Sequence, residues 1–180
     1  MNIAVYCGSS MGNDPAFAEA AREVGAMIGE RGDRLIYGGS RAGLMGLVAD
    51  AVLENGGHVT GVEPRFFLEA GYVHEGIDET IPTETMNERK AKMLELQDAC
   101  IAIPGGSGTL DEISEAVVMA GLDDEPKPCI LYNKKHFYDL LEKFYDQMVE
   151  NEFLSGHNRG LISFCQEIGE IEAILNTLKR

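Results

Sequence analysis

Five short apolar runs, at residues 3–7, 35–37, 58–62, 100–103 and 129–132, recur along this chain with longer, helix-spaced segments between them. Runs of that length suit strands covered on both faces, and parallel neighbours need a crossover, here helical. The alternation therefore predicts an α/β fold: a Rossmann-like, doubly wound parallel sheet flanked by helices, with ligands bound beyond the carboxyl ends of the strands. At 180 residues and 44% hydrophobic side chains, the expectation is a single domain spanning 1–180 with one packed core.

Helix boundaries are marked by their own chemistry. Asp14-Pro15 reads as an N-cap followed by proline at the first helical position, opening a helix that stops at Gly32. A second helix follows Gly43 and ends at Asn55-Gly56-Gly57. A third is expected over 86–97, where Thr85 and Glu88 have capping-box spacing, and a fourth over about 109–122. The segment after Lys135 is read as helices that close the domain.

With 30 acidic and 15 basic side chains the formal net charge is -15, which repels phosphate-rich polymers and anionic bilayers, so neither nucleic acid nor membrane is expected as a partner. Cys7, Cys100, Cys129 and Cys165 are far apart and form no CxxC or Cys/His cluster, so the reading is no metal, no disulfide framework and a reducing cytoplasm. The N-terminal apolar run is too short, and lacks the basic flank, for a signal peptide.

Three small-residue loops follow predicted strands: Cys7-Gly8-Ser9-Ser10, Gly38-Gly39-Ser40-Arg41-Ala42-Gly43 and Pro104-Gly105-Gly106-Ser107-Gly108-Thr109. A glycine-rich turn that opens a helix lets unpaired backbone N–H groups approach a phosphate. The same glycines also serve as plain strand-to-helix turns, but three converging loops favour a nucleotide-sized anion. No GxxxxGK[ST] occurs, and the first two loops lack GxGxxG with a following acid, which removes support for ATP hydrolysis and for NAD. Remote carboxylates matter little, since the Debye length is about 8 Å at physiological salt.

Met86-Asn87-Glu88-Arg89-Lys90-Ala91-Lys92-Met93 places three cations in the first two turns of a helix. Each opposes the helix dipole at roughly 0.3–1 kcal/mol, a penalty a nearby anion would offset, although a solvated basic face is the commoner fate of such a run. Thr109 and Glu112 again have capping-box spacing, which would account for Glu112 without catalysis. The same position lies one turn from the proposed phosphate cradle, where a carboxylate would face the sugar of a bound nucleotide. Glu115, one turn further, shares the site or is exposed.

Taken together, Val5-Tyr6-Cys7-Gly8-Ser9-Ser10, Tyr37-Gly38-Gly39-Ser40 with Gly43-Leu44-Met45-Gly46, Met86 with Glu88-Arg89-Lys90 and Met93, and Pro104-Gly105-Gly106-Ser107-Gly108-Thr109 with Glu112 resemble, in order and spacing, the LONELY GUY (LOG) proteins. These are cytokinin-activating nucleoside 5'-monophosphate phosphoribohydrolases, often labelled possible lysine decarboxylases. The resemblance implies catalytic roles for Glu112 and Arg89. It also implies substrate contacts from Gly8, Ser9, Gly38, Gly39, Met86, Lys90, Gly105, Gly106, Ser107, Gly108 and Thr109, a homodimer with sites near the subunit interface, and no metal or organic cofactor. The chain departs from the family at Ser40, where YGGG is usual, and at Val117, Met119 and Gly121, where tryptophans and glutamine are usual.

The expected reaction is hydrolysis of the N-glycosidic bond of a cytokinin or adenine nucleoside 5'-monophosphate to free base and ribose 5-phosphate. Glu112 would stabilise oxocarbenium character and orient or deprotonate water, while Arg89, too basic to donate a proton, would make charge-assisted hydrogen bonds. A non-catalytic nucleotide-binding or carrier protein is the alternative.

Overall fold

The computed structural model describes residues 1–178. Strands and helices alternate along the chain: β1 (Asn2–Tyr6), α1 (Pro15–Glu30), β2 (Arg34–Tyr37), α2 (Gly43–Glu54), β3 (His58–Pro64), α3 (Arg65–Glu69), β4 (Glu79–Thr83), α4 (Met86–Leu96), β5 (Ala99–Ala102), α5 (Ser107–Ala120), β6 (Cys129–Tyr132), α6 (Asp139–Glu150), α7 (Gly156–Arg159), β7 (Ile162–Cys165) and α8 (Ile168–Thr177). The described strands form one parallel sheet in the order β4-β3-β2-β1-β5-β6-β7. The chain steps outward from β1 through β2 and β3 to β4 at the edge, then returns to the other side of β1 for β5, which puts the topological switch point between β1 and β5.

The apolar runs are explained by two-sided burial. Ile3 and Val5 pack against α1, α2 and α8, whereas Ala4 and Tyr6 pack with Met93 of α4, Ile113 and Ala116 of α5 and Tyr145 of α6. Both parities are therefore apolar, and each fully buried aliphatic side chain contributes about 1.5–3 kcal/mol. Among the described residues, no helix is long and apolar enough to cross a membrane.

Two strands escape the sequence reading. Strand β4 contains one aliphatic residue and Pro82, and it lies at the sheet edge, where one ladder side suffices and proline is tolerated. Strand β7 is the opposite edge and corrects the expectation that only helices follow Lys135.

The caps are specific. Asp14 Oδ1 accepts from the Ala16 amide at 2.9 Å, as the Asp-Pro pair predicts. Thr85 Oγ1 accepts from the Glu88 amide at 3.1 Å, while Glu88 Oε2 accepts at 2.8 Å from Glu84 rather than from Thr85, so the box is displaced by one residue. The expected Thr109–Glu112 box is absent. Helix α5 begins at Ser107 with Gly106 as its cap, so Thr109 lies inside the first turn and the Glu112 carboxylate is left for another partner.

Candidate active site

Loops after β1, β2 and β5, together with the end of β3 and the first turns of α4 and α5, enclose a cleft of about 530 Å³ at the carboxyl edge of the sheet. Neighbouring strands bring the three glycine loops together. The Gly8 amide donates to the Pro104 carbonyl at 3.2 Å, and the Leu44 amide donates to the Gly8 carbonyl at 3.1 Å. This closeness demands glycine: a Cβ at Gly105 would collide with the Thr109 side chain and the Gly8 amide.

No side chain caps α5. The first amides of a helix have no acceptor within it, and here Gly106, Ser107, Gly108 and Thr109 all line the cleft. The positive end of the helix therefore faces the space where a ligand would sit, without a competing carboxylate cap.

Arg89 and Glu112 form the charged centre. Arg89 Nη1 is 2.9 Å from Glu112 Oε1, with both side chains only 10% exposed. Arg89 Nε donates to the Val62 carbonyl at 3.1 Å, and the guanidinium lies so close to Gly38 that a Cβ there would collide with it. The arginine is thus held by β3, the β2 loop and α5 at once. Burial raises the Glu112 carboxyl above its ordinary range, against the opposing effect of Arg89.

Of the residues anticipated from sequence, Gly8, Ser9, Gly38, Met86, Arg89, Gly106, Ser107, Gly108, Thr109 and Glu112 line the cleft. Gly39 and Gly105 lie in the same loops just behind the lining. Lys90 is elsewhere: its Nζ is bound to Asp111 at 2.9 Å and to Glu115 at 3.0 Å. Ser40 lines the cleft, and its Oγ accepts from the Ala42 amide at 3.1 Å. Met119 lies away from the cleft, in a groove between α4 and α5, and Gly121 caps the end of α5.

Several lining residues were not anticipated, among them Glu63, Phe67 and Tyr72. Glu63 is 2% exposed, and burial, opposed by Arg89, pushes its carboxyl up to about 7. The signal available in sequence was a single acid closing an apolar run, Val62-Glu63-Pro64. Among the described residues, no three His, Cys, Asp or Glu side chains gather in a metal-sized cluster.

The fold and cleft define a Rossmann-like α/β protein whose glycine-lined pocket, at the switch point of the sheet, presents a helix N-terminus beside a buried arginine–carboxylate pair. A sequence profile described as "Possible lysine decarboxylase" matches residues 45–175. The probable cytokinin riboside 5'-monophosphate phosphoribohydrolase LOGL3 of Oryza sativa subsp. japonica is 42% identical over 158 residues, covering 88% of this chain and 75% of the relative. The cytokinin riboside 5'-monophosphate phosphoribohydrolase LOG2 of Arabidopsis thaliana is 41% identical over 160 residues, covering 89% and 75%. The chain belongs to this LOG family, the one that carries the lysine decarboxylase label.

Solved structures share the fold at lower identity. The molybdenum cofactor binding protein of Rippkaea orientalis superposes with a TM-score of 0.73 at 20% identity, covering 98% of this chain and 95% of that one. The Moco carrier protein of Chlamydomonas reinhardtii gives 0.74 at 21%, with the same coverage.

Proposed function

We propose that this chain hydrolyses the N-glycosidic bond of an adenine-type nucleoside 5'-monophosphate, releasing the free base and ribose 5-phosphate. Membership of a family whose relatives are named for that activity supports the reading. The observation that carries it is the buried Arg89–Glu112 pair, set one turn from an uncapped, glycine-lined helix start.

In this reading the first amides of α5 hold the 5'-phosphate, which fixes the ribose over the pair. Glu112 takes a proton from the attacking water and stabilises positive charge on the sugar, and Arg89 positions Glu112 and binds the polar face of the ribose. An acceleration of 10⁶-fold needs about 8 kcal/mol, and one preorganised contact supplies about 3–4 kcal/mol, so phosphate anchoring must contribute much of the rest. Amine decarboxylation through a Schiff base has no residue to run on: among the described residues, no lysine lines the cleft.

We also infer a homodimer in a reducing cytoplasm. Val118, Met119 and Leu122 are 60%, 49% and 77% exposed near the end of α5, beside the α4–α5 groove, and a second copy is the occupant the family resemblance implies. The four cysteines are free and buried. The decisive assay incubates purified protein with AMP and with isopentenyladenosine monophosphate and measures base and ribose 5-phosphate. Release of both products in equal amounts is expected; tight binding with neither product would make the chain a carrier.

A further inference from the structure

The reaction above occupies Glu112 and Arg89 and leaves one buried carboxyl in the same cleft without a task. Glu63, the penultimate residue of β3, lines the cleft, and its Oε2 has no hydrogen-bond partner. A polar atom buried without a partner is destabilising, and such an atom is commonly kept where a ligand or a reaction makes use of it.

Its surroundings are defined on every side that carries a titratable group. From α4, Arg89 lies near, but its guanidinium is committed to Glu112 and to the carbonyl of Val62. From β2 comes Tyr37, whose buried hydroxyl also lacks a partner. The β2 loop passes directly against the carboxyl, where a Cβ at Gly39 would collide with it. Burial outweighs the attraction of Arg89 and raises the carboxyl to about 7, so a large share of molecules carry its proton at neutral pH.

The sheet sets the direction of a ligand. In the order β3-β2-β1-β5, three strand spacings separate Glu63 from the start of α5, about 14 Å at about 4.8 Å each. A nucleotide with its phosphate on α5 that follows this lining past Arg89 would carry its base toward Glu63, which borders the same cleft. We propose that Glu63 is the general acid that protonates the departing base, a proposal that rests on the phosphoribohydrolase reading. As the C1'–N bond breaks, its electron pair goes to the base, and the Glu63 carboxyl gives its proton to a ring nitrogen, so the base leaves neutral. A water oxygen bonds to C1' while Glu112 takes that water's proton, and exchange with solvent returns both carboxyls to their starting states. One water is consumed and no other reactant is needed.

The test compares AMP with 4-nitrophenyl β-D-ribofuranoside 5-phosphate, whose leaving group departs as an anion and needs no proton. Glu63→Gln is expected to slow AMP hydrolysis about 10²–10⁴-fold and to abolish the fall of kcat/KM above about pH 7, while cleaving the nitrophenyl substrate at nearly the unsubstituted rate. That retained rate also shows the variant to be folded. Glu112→Gln is expected to slow both substrates. If Glu63→Gln slows both equally, or neither, the proposal is overturned. If the unsubstituted chain cleaves neither substrate, the phosphoribohydrolase reading falls first and takes the proposal with it.

Discussion

Replacing Glu63 with glutamine should change how stability depends on pH, by an amount the structure allows to be worked out. Burial raises this carboxyl from 4.5 to about 7. Between those values the folded chain keeps a proton that the unfolded chain has released, so stability is fully present below about 4.5 and declines as pH rises toward 7. At about 1.36 kcal/mol per pH unit, the full decline is roughly 3 kcal/mol. The glutamine variant has no such titration. Its amide brings an unpaired donor of its own, but that cost is constant with pH, so the observable is the difference in pH dependence rather than either stability alone. Glu112 also has a raised carboxyl and is present in both proteins, so its contribution cancels. Urea unfolding at pH 5, 6, 7 and 8 would measure the effect. With a slope of about 2–3 kcal/mol per molar urea, the unsubstituted midpoint should fall about 1 M further than that of the variant between pH 5 and pH 8. Parallel midpoints across that range would refute the claim that Glu63 is held protonated by burial.

Other substitutions probe the same architecture. Gly38→Ala should destabilise by about 1–3 kcal/mol and lose most activity, because the new methyl displaces the Arg89 guanidinium; Gly106→Ala, whose Cβ meets nothing, should cost no more than about 1 kcal/mol, through the poorer cap alone. Arg89→Ala should cost about 3–5 kcal/mol by stranding the buried Glu112 carboxylate, whereas Glu112→Gln, whose amide oxygen can still accept from Arg89, should lower the melting temperature less than Arg89→Ala and lose turnover about 10²–10⁴-fold; normal turnover by the second variant would remove Glu112 from the mechanism. Native protein should leave Ellman's reagent uncoloured at pH 8, because all four thiols are buried and that of Cys165 is pushed up to about 11, with four equivalents appearing on unfolding.

The fold was legible where burial was two-sided. Strands β1, β2, β3, β5 and β6 announce themselves as apolar runs because helices cover both faces, and the starts of α1, α2, α4 and α5 are marked by a local cap or a Gly-rich loop. Edge strands carry no such mark. Glu79-Thr80-Ile81-Pro82-Thr83 is largely solvated and pairs on one side, so its composition is that of a loop. The start of α5 was displaced by two residues for a different reason. Thr109 and Glu112 have capping-box spacing, but the backbone turns into the helix at Gly106, and the Thr109 side chain is buried against Gly105 instead.

The site was legible in its glycines and only half legible in its charges, as Arg89 and Lys90 illustrate. Sequence presents them as equivalent cations opposing the dipole of α4. Successive residues on a helix point about 100° apart, so only one of two neighbours can face the sheet. Arg89 turns inward, where a carbonyl and a carboxylate surround it, and Lys90 turns to Asp111 and Glu115 at the rim. The anion that offsets the unfavourable position of Arg89 is thus supplied by the protein itself. A ligand phosphate that simply replaced Glu112 at Arg89 would strand a buried carboxylate, which costs more than the new contact returns. On the proposed reading the phosphate therefore binds at the open amides of α5 and leaves the Arg89–Glu112 pair intact beside the sugar, the arrangement that cleavage at C1' would use.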